Sequence, residues 1–126
     1  LGIRNRVSIR QYIDETELSA LYARAMVFVF LSEYEGFGFP PLEAMAAGVP
    51  SIVGDTPVAR ELYGDAAVRV EVRDVGAITS SIIELLNSPS ARRARLDVAA
   101  ERLPHFTWTR AASQTLAILE QEGRRR

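Results

Sequence analysis

Cysteine and lysine are both absent from this 126-residue sequence, and each absence excludes particular kinds of chemistry. Without cysteine there are no disulfides, thiolate zinc sites, iron–sulfur clusters or cysteine nucleophiles. All fifteen basic residues are arginine, so the lysine of a Walker-type phosphate loop and the lysine that forms a Schiff base with pyridoxal phosphate are missing too. The sequence therefore argues against a Walker ATPase and against a pyridoxal enzyme.

A strong net charge and a long apolar segment are lacking as well. Fifteen basic residues stand against sixteen acidic ones, a net charge of −1, so we expect neither nucleic acid nor an anionic membrane to be attracted. The longest apolar run, residues 25–31, is far shorter than the roughly 20 residues that span a bilayer. With 48% hydrophobic residues, residues 1–126 are expected to form a single domain around one core.

The spacing of apolar residues predicts strands that alternate with helices. Segment 26–31 is apolar without alternation, which is typical of a strand covered on both faces, and we predict it as the central strand. The order of elements predicts right-handed crossovers and an α/β fold, a Rossmann-like parallel sheet with helices on both faces. Strands are predicted at residues 6–12, 26–31, 49–53 and 66–72, and helices at 14–25, 42–47, 58–63, 74–87, before Pro104, and from Thr107 or Thr109 onward.

Two of these helices carry clear signals at their starts. Asp14 and Glu17 have capping-box spacing, and Asp74 is a typical N-cap residue. In the first helix the apolar residues recur at helical spacing and are predicted to form one stripe that faces a core. That stripe consists of Leu18, Leu21, Tyr22 and Ala25.

The loop at residues 32–41 is the first candidate for a ligand site, because open parallel sheets bind ligands at the carboxyl ends of their strands. Gly36 and Gly38 allow the backbone to approach a ligand closely, and the free amides of the next helix start can bind phosphate. Glu35 and Glu43 would repel a phosphate, so we expect them to accept hydrogen bonds from hydroxyl groups on either side of it. A ligand with hydroxyl groups on both sides of a diphosphate is a nucleotide sugar.

Residues 32–67, SEYEGFGFPPLEAMAAGVPSIVGDTPVARELYGDAA, closely resemble the signature of retaining family-4 glycosyltransferases of the GT-B fold. In that signature two glutamates, separated by seven residues, lie within the pattern EGFGxPxxEAMAxGxP; here they are Glu35 and Glu43. The resemblance continues at residues 7–17, at Glu61 with residues 64–67, and at residues 106–108. It therefore covers nearly the whole chain.

The resemblance implies a role for each residue of the loop. Glu35 would lie by the donor sugar as the catalytic residue, and Glu43 would hold the ribose diol. The backbone of Gly36, Phe37, Gly38 and Phe39 would meet the sugar and the diphosphate, with Leu42 beside Glu43 in the same donor-binding set. The family is usually drawn with front-side attack and retention, so we expect no enzyme nucleophile. Because amides and arginines can neutralise the diphosphate, we also expect no metal and no cofactor.

The resemblance also implies a larger parent enzyme with an N-terminal acceptor domain and two further β-α units that carry a basic pair for the diphosphate. We expect this chain to be an incomplete C-terminal domain, inactive alone, from a cytoplasmic enzyme that moves a hexose to an acceptor hydroxyl; peripheral membrane association stays open. The two missing strands would lie between those at residues 6–12 and 26–31. We therefore expect either that residues 7–12 pair directly with a neighbouring strand or that two copies dock edge to edge.

One alternative and two residues stay open. A non-catalytic flavodoxin-like module that binds a nucleotide or a partner protein would explain the fold, but not the convergence of two carboxylates, a glycine loop and a proline-started helix. Arg60 stands where the family usually has proline, and Glu61 is either a donor-pocket residue or a surface acid. The base, the sugar and the acceptor are not identified by the sequence.

Overall fold

Three short parallel strands form the sheet in the computed structural model, which describes residues 2–124. They are β1 (Phe28–Phe30), β2 (Ser51–Gly54) and β3 (Ala67–Val70), in the order β1-β2-β3. Ile52 of β2 pairs with Val29 on one side and with Val68 on the other. All four residues of β2 are buried, so β2 is the central strand.

The prediction that segment 26–31 is the central strand is therefore wrong. Within the described residues β1 has a neighbour on one side only, and Val29 is 39% exposed. The physical reason is that an apolar run reports how the faces of a strand are covered, whereas its place in the sheet depends on hydrogen-bond partners at its edges.

Within residues 2–124, six α-helices accompany the sheet. Five of them begin at a residue whose side chain accepts a hydrogen bond from the backbone amide three positions on, namely Asp14, Thr56, Asp74, Ser88 and Thr107. These caps confirm the predicted starts at Asp14 and Asp74 and select Thr107 over Thr109. The helices are α1 (Glu15–Arg24), α2 (Phe39–Ala46), α3 (Pro57–Leu62), α4 (Val75–Asn87), α5 (Pro89–Arg102) and α6 (Trp108–Gly123).

The core has two halves, one on each face of the sheet, because successive side chains of β2 point in opposite directions. Ile52 packs with Val70 and with Leu85 of α4. Val53 belongs to the cluster on the other face, which α2, α3 and α5 complete. The Rossmann-like α/β architecture with helices on both faces is thus confirmed.

The strand predicted at residues 6–12 is not formed. Arg4–Arg6 make a short 3-10 turn, and no strand follows before β1; Val7 is 56% and Ile9 87% exposed. The expected direct pairing of residues 7–12 with a neighbouring strand is therefore wrong. Alternation of apolar residues predicts the face that a strand would bury, but a strand also needs a pairing partner.

The apolar stripe predicted for α1 is only partly covered. Tyr22 lies edge-on against Phe28 of β1, with ring centroids 5.7 Å apart, while Leu21 is 40% exposed. No residue of α1 is fully buried, so this helix packs less tightly than α2 or α5. Across residues 2–124, no helix has both the length and the apolar character that a membrane crossing requires.

Candidate functional site

The loop that leaves β1 and leads to α2 lies at the carboxyl edge of the sheet. It passes directly over the end of β2, because a Cβ added to Gly54 would stand 2.8 Å from the carbonyl oxygen of Ser32. Only a glycine permits this approach. The structure therefore places residues 36–39, called here the glycine loop, at the edge where parallel sheets bind their ligands.

Gly38 gives the glycine loop its shape. Its φ of 82° and ψ of 64° lie in the left-handed region, and it is the N-cap of α2. L side chains rarely adopt this conformation, and a Cβ at this position would also overlap the hydroxyl oxygen of Tyr63. Gly36 has open space around it, so its side of the loop is free for a ligand.

The two prolines change which amides the start of α2 can offer. The helix begins at Phe39 rather than at the predicted Leu42, since Pro40 and Pro41 are tolerated in a first turn. Neither proline has an N–H, so the free donors are the amide of Phe39 and the loop amides before it. An anion at this end of α2 would therefore meet the glycine loop rather than the helix proper.

Tyr63, at the end of α3, connects the glycine loop to the core. Its hydroxyl donates a hydrogen bond to the carbonyl oxygen of Gly38 over 2.6 Å, and the residue is only 3% exposed. Burial, together with the negative charge of Glu35, raises the pKa of Tyr63 to about 12. Sequence reasoning missed this residue, since a tyrosine at a helix end has no signal that separates it from ordinary core.

Glu35 is half-buried beside that tyrosine. It lines a small recess between the ends of β1 and β2, together with Ser32, Thr56 and Tyr63. Because the residue is only half-buried, its carboxylate still has one side open to solvent. Glu35 can therefore accept hydrogen bonds from a ligand in front of the glycine loop.

Glu43 is exposed on α2, beside Tyr22 of α1. A helix that began at the predicted Leu42 would place Glu43 in its first turn, and that prediction is wrong: α2 begins at Phe39, so Glu43 follows the first turn. The hydroxyl of Tyr22 lies 3.4 Å from Oε2 of Glu43 and 3.4 Å from the carbonyl oxygen of Pro40. Burial and the nearby Glu43 raise the pKa of Tyr22.

The remaining predicted site residues divide into core and surface. Leu42 is 7% exposed and its side chain belongs to the core, so it can reach a ligand only through its backbone. The rings of Phe37 and Phe39 lie 4.7 Å apart between centroids, tilted by 36°, and the edge-on contact of Phe37 with Phe106 has a centroid distance of 5.9 Å. These rings line a cavity of about 450 Å³ beside Trp108.

Arg60 and Glu61, whose roles the sequence leaves open, both lie on α3. Arg60 makes a bidentate ion pair with Asp55, with Nε and Nη2 at 2.8 and 2.7 Å from the two carboxylate oxygens, and this lowers the pKa of Asp55. The helix is regular there, so arginine is accommodated at position 60. Glu61 is exposed and lines the aromatic cavity rather than the recess of Glu35.

A metal centre has no obvious place in residues 2–124, where no three or more histidine, aspartate or glutamate side chains group in a way that could hold an ion. Two acidic residues at this edge pair with arginine: Glu33 lies 3.3 Å from Arg73, and Asp55 lies 2.7 Å from Arg60. Charge is thus neutralised at these two positions.

Comparison with known proteins gives consistent matches. Residues 1–102 match the family model described as Glycosyl transferases group 1. The chain is 36% identical over 105 residues to O-antigen chain mannosyltransferase B of Escherichia coli, covering 83% of this chain and 28% of that protein. It is 35% identical over 125 residues to an MMP alpha-(1->4)-mannosyltransferase of Mycolicibacterium hassiacum, covering 96% of this chain and 30% of that protein.

Among solved structures, the chain is similar to a sucrose-phosphate synthase from Thermosynechococcus elongatus. The TM-score is 0.82 at 27% identity, covering 99% of this chain and 32% of that one. The chain thus spans less than a third of the length of these relatives.

Proposed function

Because the chain belongs to the glycosyl transferases group 1 family, with a GT-B type fold, we propose that it is the donor-binding part of a retaining family-4 hexosyltransferase. In the parent enzyme a hexose would move from a nucleotide diphosphate sugar to an acceptor hydroxyl. The observation that carries the proposal is the glycine loop itself, which sits at the carboxyl edge of the sheet beside the half-buried Glu35. A non-catalytic flavodoxin-like module is not favoured by the family match.

The proposed chemistry needs stabilisation at both ends of the breaking bond. Departure of the nucleoside diphosphate builds negative charge on its oxygens and positive, oxocarbenium-like charge on the sugar. The amides of Gly36, Phe37, Gly38 and Phe39 would face the negative side, and Glu35 would face the positive side as the catalytic residue. Front-side attack, with the diphosphate helping to deprotonate the acceptor, requires no enzyme nucleophile.

Glu43 would bind the part of the donor that does not react. Its exposed carboxylate can accept two hydrogen bonds from the ribose diol, while Tyr22 holds it from the side of α1. Leu42 would contribute only its backbone. The nucleotide would thus be held by α2, and the sugar would lie under Glu35.

The class of sugar and the need for a second domain are also proposals. The names of the relatives include mannosyltransferases, glycogen synthase and sucrose-phosphate synthase, all of which suggest hexose transfer. An acceptor-binding domain and basic residues for the diphosphate would belong to the part of such proteins that this chain does not match. No metal is proposed, because amides and arginines can neutralise a diphosphate.

Calorimetric titration of the chain with uridine and guanosine diphosphates, and with their sugars, tests donor binding. We expect one nucleoside diphosphate to bind, and Glu43→Gln to weaken it. The matched control is Glu84→Gln, which makes the same change on an exposed residue of α4, on the other face of the sheet. If neither this chain nor the full-length enzyme binds a nucleoside diphosphate at millimolar concentration, the proposal is wrong.

A further inference from the structure

The hydroxyl of Tyr63 is a polar group in the core that the proposed chemistry does not use. The ring packs in the cluster that α2, α3 and α5 form on one face of the sheet, and the residue is 3% exposed. A buried phenol needs a hydrogen-bond partner. Its partner is the carbonyl oxygen of Gly38, at 2.6 Å.

That carbonyl has a special position, because it belongs to the N-cap of α2. In the other five helices the N-cap carbonyl accepts from the amide four residues on, as in Leu18 to Asp14 and Arg60 to Thr56. For α2, the hydrogen bond that the structure shows to the N-cap carbonyl comes from the phenol of Tyr63. The phenol thus fixes the peptide plane at the junction of loop and helix.

The same side chain borders Glu35. Glu35 and Tyr63 line one small recess at the ends of β1 and β2. The phenol keeps its proton throughout the neutral range, and that proton is donated to Gly38. The carboxylate of Glu35 is therefore left free to meet a ligand.

We propose that Tyr63 is a positioning residue, whose hydrogen bond to the Gly38 carbonyl holds the amides of the glycine loop in the orientation that faces the donor diphosphate beside Glu35. The inference rests on the proposed donor site and adds a residue to it. It predicts an effect at the diphosphate of the donor, while the ribose contact through Glu43 is left intact.

The test is Tyr63→Phe in the full-length enzyme, with Tyr12→Phe as the matched control, since Tyr12 is 87% exposed. The variant loses one hydrogen bond between uncharged groups, so kcat is expected to fall about tenfold. The nucleoside diphosphate carries the same diphosphate, so its dissociation constant should rise by a similar factor, whereas the dissociation constant of the nucleoside alone should change less than about threefold. A purely structural role would lower the melting temperature without this split, and that result would overturn the proposal.

A double substitution gives a second, independent test. Gly38→Ala introduces a Cβ that overlaps the phenol oxygen, so adding Tyr63→Phe should recover part of the activity that Gly38→Ala loses. If the fractional activities of the two single variants simply multiply to give that of the double variant, the two residues do not act through this contact and the proposal is contradicted. If wild-type enzyme transfers no sugar, the proposed function fails and this inference with it; if wild type is active and Tyr63→Phe matches Tyr12→Phe, only this inference fails.

Discussion

At the scale of single residues, the two glutamates of the proposed donor site are expected to behave differently. Glu43 would hold a ribose diol that is the same in the ground state and in the transition state. Losing a bidentate, charge-assisted contact costs about 1.5–3 kcal/mol, so Glu43→Ala should weaken nucleoside diphosphate binding roughly ten- to a hundredfold. Glu35→Ala should lower kcat more than it lowers that affinity, because the sugar changes charge during the reaction.

Affinity and turnover of both variants, measured in the full-length enzyme, separate these roles. If Glu35→Ala loses nucleotide affinity while Glu43→Ala loses only turnover, the assignment is reversed. If neither quantity changes in either variant, the site lies elsewhere.

Ser51 offers a prediction about stability rather than activity. Its side chain is fully buried in β2, and Oγ has no hydrogen-bond partner within residues 2–124. An unsatisfied buried hydroxyl is unfavourable, so Ser51→Ala should raise the free energy of unfolding by about 1 kcal/mol. Urea unfolding of the two proteins measures this; a clear loss of stability would mean that the hydroxyl is bonded in solution.

At the scale of elements, two arginines of α5 donate hydrogen bonds to the carbonyl oxygens at the C-terminal ends of α3 and α4. Arg102 donates to the carbonyl oxygens of Leu62 at 3.0 Å and Glu61 at 2.5 Å, at the end of α3. Arg92 does the same at the end of α4, through the carbonyl oxygens of Leu85 and Leu86. A planar guanidinium can reach two neighbouring carbonyls at once.

Arg102→Ala is therefore expected to destabilise the chain by about 1–3 kcal/mol, because two carbonyl oxygens lose a charged donor. Arg93→Ala is the control: Arg93 pairs with Asp97 at 2.7 Å, but both side chains are largely exposed, so its loss should cost under about 0.5 kcal/mol. Chemical denaturation of both variants decides the matter. Equal effects would show that the carbonyl contacts contribute little.

Prediction from sequence succeeded for elements whose signals are local. Asp14 and Asp74 cap helices through amides three residues away, as predicted, and the spacing of Glu35, Gly36, Gly38 and Glu43 is a pattern along the chain that pointed to the family the comparison shows. It failed where a partner distant in sequence decides the outcome. Residues 7–12 lack a strand to pair with, and Tyr63 reaches Gly38 across 25 positions.

At the scale of the whole molecule, we expect no turnover from this chain alone. It spans less than a third of its matched relatives, and we propose that its site forms one wall of a cleft whose other wall belongs to an acceptor domain. Release of nucleoside diphosphate from any common nucleotide sugar, with sugar acceptors supplied, should stay at the uncatalysed rate. Turnover at an enzyme-like rate would show that the site is complete.

Self-association through the sheet edge is the second expectation at this scale. Beyond β1 the described residues provide no further strand, and Val29 of β1 is exposed, as is Leu21 of α1, which lines a hollow with Phe28 of β1. Unpaired apolar edges invite pairing, so sedimentation should show dimers that Val29→Lys disrupts. The control is Ile118→Lys, on the exposed face of α6, which should leave the dimer intact. If instead Ile118→Lys abolishes the dimer and Val29→Lys does not, the contact lies on α6.

The paired prolines at the start of α2 also bear on how such a domain could diversify. In the proposed site they would leave the hydrogen-bond donors to the diphosphate on the main chain of residues 36–39, where most mutations cannot remove an N–H. Contacts to sugar and ribose would instead come from side chains, which a single codon change can replace. Descendants of this sequence could therefore exchange one sugar for another while keeping the proposed diphosphate contact unchanged.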